Sequence, residues 1–344
     1  MKKSLLALAV TAAAFTGAAN AAEIYKTDDA SVNFYGQLRT ELKWNDVEDK
    51  NPELSSGSSR TGIDGSYKVN DNLSVLGLVE VSVDEDSDMY VRQHIFGLSG
   101  DFGTIKFGKQ FTISDDIYGA DYSYFYGGSA LRYWTISDAV NDAMVKYVFE
   151  ADNFWLQADY GLPNNGDNQE LGELFVGTSL GDLNLHIGGG YNRSEDILDS
   201  AGNNTGVSLK NSYGQATAEY NYGKGVIGFT YYYAKLETEN ATNISVEENG
   251  YSLAATYEWA DNATAYAGYE LTTHDSDAIE LKDSTVVYVG SDYFLTDWAR
   301  VYLEVAYLDG DTLGYGAGGA EGTAISPSSA DDQYNVGLGA RFYW

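Results

Sequence analysis

The sequence predicts an all-β chain: a sixteen-stranded antiparallel transmembrane β-barrel with its long third loop folded into the lumen. Three observations point there. Apolar and polar residues alternate with period two from end to end, the connections between alternating segments are by turns short and long, and no run in the body of the chain is long enough for a membrane-crossing helix.

The final segment shows the alternation most cleanly. Tyr334, Val336, Leu338, Ala340, Phe342 and Trp344 fall on one face, and Asn335, Gly337, Gly339, Arg341 and Tyr343 on the other. The same pattern sets Leu183, Leu185 and Ile187 against Asn184, His186 and Gly188. Sixteen such strands are expected, starting near Val32, Arg60, Leu73, Tyr90, Gly103, Ala143, Asn153, Glu170, Asp182, Asn211, Val226, Asn249, Ala263, Thr285, Trp298 and Gln333. Short connections such as Asn70-Asp71-Asn72 and Ala260-Asp261-Asn262 carry turn residues. The intervening ones, near 44–59, 111–142, 192–210 and 310–332 among others, are mostly long and polar.

A sandwich has no reason to lengthen every second connection. A membrane barrel does, because its turns face one compartment and its loops the other. The barrel must also close, since lipid satisfies no backbone N–H or C=O. Aromatic girdles at the two interfaces are expected from Trp155, Tyr257, Trp259, Tyr293, Trp298, Tyr302 and Tyr307.

The amino terminus reads as a secretory signal peptide over 1–21. Lys2 and Lys3 precede an apolar stretch from Leu5 to Phe15, and Ala19-Asn20-Ala21 has the small-x-small pattern of a cleavage site. The barrel is then expected over 22–344. The chain has no cysteine and a formal charge of −31. That charge excludes nucleic-acid binding, which needs a basic footprint, and suggests a surface or pore that attracts cations.

Enzymatic chemistry finds little support. There is no thiol and no Gly-x-Ser-x-Gly elbow, and His94, His186 and His274 lie apart, without paired metal-ligand spacing. By strand parity His94 and His186 face the lumen. Asp84-Glu85-Asp86-Ser87-Asp88 has alternating acids but lacks the glycine and distal glutamate of an EF-hand. It reads as a solvated loop, with divalent-ion bridging to lipopolysaccharide phosphates as the functional alternative. No cofactor and no metal site are expected.

The connection at 111–142 is unlike the others. It holds Tyr118, Tyr122, Tyr124, Phe125, Tyr126, Tyr133 and Trp134, too many aromatics for a disordered loop, so it should fold onto something.

Several segments together resemble the trimeric general-diffusion porins of Gram-negative bacteria. They are Ala22-Glu23-Ile24-Tyr25 with Phe34-Tyr35-Gly36, then Ser59-Arg60-Thr61-Gly62, then Gly97-Leu98 with Phe102 to Lys109, then Tyr126-Gly127-Gly128, and the terminal Trp344. The resemblance spans essentially the whole expected mature chain. It implies a homotrimer of barrels in the outer membrane, embedded in lipid and lipopolysaccharide. Each barrel would form a water-filled channel for passive diffusion of ions and small hydrophilic solutes. It also implies a basic cluster on the wall facing acids on the third loop. Arg60 and Arg92 match wall arginines, Glu80 an inward glutamate, and Asp121 a loop acid.

The sequence departs from that pattern in places. Gln37 stands at a wall lysine position, with Arg39 on the same face, and Phe125 replaces a loop acid. The wall arginine expected after the loop is missing near Val140, although Lys146 points inward by parity. The constriction is therefore expected from Arg39, Arg60, Glu80 and Arg92 on the wall and Asp121, Tyr124, Phe125 and Tyr126 on the loop. It should be more aromatic and less charged than the family norm. The short second loop, Asp84 to Met89, weakens the trimer latch. Net charge argues for cation preference. The alternatives are a sugar-selective pore using the Tyr122–Tyr126 aromatics as a track, and a plugged structural or adhesive barrel.

Overall fold

The computed structural model describes residues 22–46, 51–84, 88–130, 139–163, 169–195, 197–198, 204–240, 244–276, 280–313, 315–317, 323–325 and 328–344. The expected leader, the acids at 85 and 86, and Tyr133 and Trp134 lie outside them. Sixteen antiparallel strands close into a barrel. They are β1 Ala30–Trp44, β2 Arg60–Asn70, β3 Leu73–Ser82, β4 Val91–Gly100, β5 Gly103–Phe111, β6 Val140–Glu150, β7 Phe154–Gly161 and β8 Glu170–Leu180. The other half is β9 Leu183–Ser194, β10 Leu209–Asn221, β11 Val226–Thr238, β12 Ser245–Ala260, β13 Ala263–Ser276, β14 Ser284–Thr296, β15 Ala299–Thr312 and β16 Ser328–Tyr343. The expected starts fall within five residues of these.

Each strand pairs with the next, and β16 returns to β1 with Arg341 opposite Arg39. The Gly36 N–H donates to the Trp344 carbonyl at 2.9 Å, so the seam is sealed to the last residue. A short strand at Ala22–Lys26 folds back on the start of β1, and one at Glu53–Ser55 lies along its other edge. A three-stranded sheet of Ile197–Leu198, Thr323–Ile325 and Tyr315–Ala317 ties the β9–β10 connection to the β15–β16 connection.

Burial runs opposite to that of a water-soluble protein. Ile187, Val289 and Leu303 are exposed on the outer face, while Glu270, Glu304 and Thr230 are fully buried. Apolar area left in water costs about 25 cal/mol per Å², so an outer face of this kind calls for lipid. Alternation delivers both faces from one strand, since successive side chains point to opposite sides.

Parity fails where the ladder slips. Between β3 and β4 the register shifts after Glu80, so His94 pairs with Val79 and shares its outward face. The lumen position expected for His94 is therefore corrected: an extra residue reverses every later side chain. Two girdle expectations are also corrected. Tyr302 shares a parity with Glu304 and is buried at 1% exposure inside the barrel. Trp155 also faces inward, lying over Gly177 on β8. Tyr257, Trp259, Tyr293 and Trp298 are exposed on the outside.

Candidate functional site

The loop after β5 is fastened to the inner face of the barrel along its described length. Its first turn, α1 Ile113–Asp116, is capped by Thr112, whose hydroxyl accepts from the Asp115 N–H at 3.2 Å. Three buried wall glutamates then hold three stretches of loop backbone. Glu173 on β8 accepts from the Ile113 N–H at 2.6 Å and the Ser114 N–H at 3.3 Å, and from the hydroxyls of Ser114 and Tyr213. Glu304 on β15 accepts from the N–H groups of Tyr124 at 2.7 Å, Phe125 at 3.3 Å and Tyr126 at 2.9 Å, and from the Ser123 hydroxyl at 2.7 Å. Glu270 on β13 accepts from the N–H groups of Gly128 at 2.8 Å and Ala130 at 3.2 Å, and from the Ser129 hydroxyl at 2.7 Å.

Between these sockets, Thr230 Oγ1 accepts from the Ala120 N–H at 2.8 Å and the Tyr288 hydroxyl accepts from the Tyr122 N–H at 3.2 Å. The Tyr122 hydroxyl donates to Glu219 at 2.5 Å. A loop has no ladder of its own, so its backbone donors need partners wherever it is buried. Here carboxylates supply them, and charge-assisted bonds are the stronger kind.

The expected loop residues form one cluster against β13–β16. The Tyr124 hydroxyl donates to Asp292 at 2.9 Å and accepts from Arg300 at 2.6 Å. The guanidinium carbons of Arg300 and Arg341 lie 4.8 and 4.9 Å from its ring centroid. Phe125 stacks 5.2 Å from Tyr302 and occupies the space a side chain at Gly337 would need. Tyr126 lies beside Phe125, its ring 5.8 Å away. Asp121 turns back into the loop, accepting from the Ser123 N–H at 3.0 Å and the Tyr288 hydroxyl at 3.2 Å. Burial, then the charge of Glu270, pushes its carboxyl up to about 7. Asp115 is likewise raised to about 7, by burial and the adjacent Asp116.

The expected wall residues form a second cluster. Glu80 lies 2.9 Å from Arg92 and 3.6 Å from Arg60, and accepts from the Tyr35 hydroxyl at 3.1 Å. Arg39 lies on the neighbouring strand; its backbone N–H donates to the Ser59 hydroxyl at 2.9 Å. Among the described residues no hydrogen bond or ion pair joins the wall set to Asp121, Tyr124, Phe125 or Tyr126. The two groups share no such bond, although the loop set reaches β16, the strand that pairs with β1 and places Arg341 between Tyr124 and Arg39.

Arg300, Glu173 and the pair of Lys146 with Asp116, 2.8 Å apart, complete the lining. Arg300 was findable from sequence, because it shares a parity with Glu304. Glu173 was not, since its strand carries the bulky Phe175 on the same inward face.

Comparison with known proteins agrees with this architecture. A family model described as Gram-negative porin matches residues 7–313. The porin-like protein H of Photobacterium profundum is 26% identical over 331 residues, covering 92% of this chain and 98% of that one. The solved structure of in-vitro folded OmpT, an outer membrane protein of Vibrio cholerae, is 47% identical with a TM-score of 0.85, covering 94% of this chain and all of that one. A trimer form of the same protein is 48% identical, with a TM-score of 0.85 over 92% of this chain and all of its own. A match across most of the chain, joined to a closed barrel with a polar interior, leaves one assignment: this is an outer-membrane channel protein and belongs to the Gram-negative porin family.

Proposed function

We propose that the chain passes ions and small hydrophilic solutes by passive diffusion, through the space between the clamped loop and the arginine-bearing wall of β1, β2 and β4. The observation that carries this reading is the division of labour among the inner carboxylates. Glu173, Glu270 and Glu304 hold the loop on one side. Arg39, Arg60 and Arg92 share the other, where, among the described residues, Glu80 is bonded between two of them. A channel needs a polar bore and fixed charges, and no reacting group.

Cation preference follows from the net charge of −31. It is assigned to the acidic loops and vestibules, because the buried wall carboxylates are engaged by the loop. The sugar-track alternative loses support from Tyr124, whose ring is already contacted by Arg300, Arg341, Tyr266 and Tyr302. The same residues act as mortar between loop and wall.

A homotrimer, in contact with outer-membrane lipid and lipopolysaccharide, fits the trimer form of the Vibrio cholerae relative. Cleavage after Ala21 completes the reading; Edman sequencing of the exported protein should begin at Ala22. Planar-bilayer recording under a potassium chloride gradient tests function. Ohmic openings with a cation-selective reversal potential are expected. Anion selectivity would remove the charge argument, and silence from folded protein would remove the pore.

A further inference from the structure

The outer face of the barrel is not evenly raised. Leu185 and Ile187 project from β9 and Phe229 and Tyr231 from β11, while β10 between them presents Ala216 and Ala218. Register sets Ile187, Ala216 and Tyr231 in one row across the three strands, and Leu185, Ala218 and Phe229 in the next. Two ridges of large side chains thus flank a floor of methyl groups. The result is an apolar groove of about 490 Å³ on the outside of the wall, a size typical of pockets that hold small molecules.

The Ala218 end of the groove runs toward the short β10–β11 turn, Tyr222-Gly223-Lys224-Gly225. Short turns of a membrane barrel lie on the periplasmic side. Tyr220, exposed, stands between the groove and that turn, as an interfacial aromatic does. The turn itself is unlike its six counterparts. Those carry Asp71, Asp101, Asp152, Asp182, Asp261 and Asp297, whereas this one carries a lysine and no acid. Lys224 is exposed, and among the described residues its ammonium has no ion pair.

We propose that the groove and Lys224 together bind one anionic phospholipid of the periplasmic leaflet, with an acyl chain over Ala216 and Ala218 and the headgroup phosphate on Lys224. Within a bilayer no hydrophobic force favours protein over lipid, so selection has to come from packing and polar contacts. A chain lying between the two ridges touches protein on three sides and gains dispersion contacts that an even wall does not offer. The headgroup choice comes from charge. Aspartates at the other turns repel an anionic headgroup, and Lys224 is the place on that rim that attracts one. The site is a defined position for one lipid, beyond general contact with the membrane, and it does not depend on the pore reading.

The test is native mass spectrometry of the full-length folded protein, released from vesicles of equimolar palmitoyl-oleoyl phosphatidylglycerol and phosphatidylethanolamine. Wild type should retain one phospholipid per chain, with phosphatidylglycerol favoured about fivefold, as expected for one lysine at a membrane surface. Lys224→Gln should erase that preference, and Lys224→Arg should keep it. The Ala216→Leu, Ala218→Leu double variant fills the groove, stays apolar, and should reduce retention of both lipids to background. Equal retention of the two lipids by wild type, or unchanged retention by the double variant, overturns the site. Loss of the oligomer in the double variant with lipid retention unchanged would assign the groove to a neighbouring copy, and also overturns it. So does displacement of the retained phospholipid by added lipopolysaccharide, which would assign the groove to the other leaflet.

Discussion

Glu304 accepts the backbone N–H of Tyr124 at 2.7 Å, a bond that joins positions 180 residues apart in sequence. Three further loop donors, from Ser123, Phe125 and Tyr126, share the same carboxylate, and Tyr266 adds a fifth at 3.0 Å. One wall side chain thus fixes the tip of the loop. Glu304→Ala takes this acceptor from the Tyr124 N–H and the Ser123 and Tyr266 hydroxyls, while the Phe125 and Tyr126 N–H groups keep the Ser123 oxygen; the cost is roughly 1–3 kcal/mol for each donor left buried and unpaired. The expected outcome is a loop that leaves the wall, seen as larger conductance fluctuations and new protease cleavage within 118–130. Unchanged traces and unchanged cleavage would show that the other sockets suffice.

The Tyr124 ring lies against the guanidinium groups of both Arg300 and Arg341. Tyr124→Ala removes a hydroxyl bonded to both Arg300 and Asp292 and uncovers two guanidinium groups. Reversal potentials should move toward anions, while Tyr124→Phe, which keeps the ring, should move them less. An equal shift for both variants would assign the effect to the hydroxyl alone.

The pH dependence has a definite sign. Burial raises Asp115 and Asp121 to about 7, above the ordinary aspartate range. Between the unfolded and folded values the attached loop binds more protons than the detached one, so attachment is strongest in acid and weakens as pH rises through about 7. Ionisation over the same interval adds negative charge beside the bore. Cation preference should therefore grow from pH 6 to pH 8, and the Asp115→Asn, Asp121→Asn double variant should flatten the curve. A preference that falls with rising pH would contradict this.

Gly128 has a φ of +92°, a left-handed conformation, at the point where the loop turns onto Glu270. Alanine there costs about 1–2 kcal/mol. Thermal unfolding of the barrel should barely change, because the ladder is untouched, but loop protease resistance should drop.

Salt separates vestibule from constriction. Charges at the mouth are screened once the Debye length falls from about 10 Å at 0.1 M to about 3 Å at 1 M. Cation preference carried by the acidic loops should fade over that range. Preference that persists at 1 M would place its source at the narrowest point.

The strands were legible because lipid enforces a strict period of two, and all sixteen starts were found within a few residues. Expectations failed where that period breaks and where an aromatic's place near a strand end outweighed its parity. His94 follows a register shift, and Tyr302 and Trp155 are aromatics at strand ends whose parity points inward. The membership of the wall cluster, Arg60, Glu80 and Arg92, was also readable, from resemblance and parity together. The loop's course was not. Nothing in the sequence pairs Glu304 with residue 124 or Glu270 with residue 128, since these bonds depend on which strands the loop passes after it enters the barrel. Asp121 shows the consequence: a carboxylate expected to face the bore is instead used to brace the loop against Tyr288.

The chain contains no cysteine, so a single introduced thiol reports one position. On the proposed reading Arg39 lies beside the permeation path, and Thr230, fully buried and bonded to Ala120, lies behind the loop. Single-channel conductance of Arg39→Cys and Thr230→Cys, followed during addition of a charged methanethiosulfonate reagent, tests this most directly. Stepwise change at position 39 and none at 230 is the predicted result. Reaction at 230 with position 39 silent would place the open path on the other side of the loop and contradict the account.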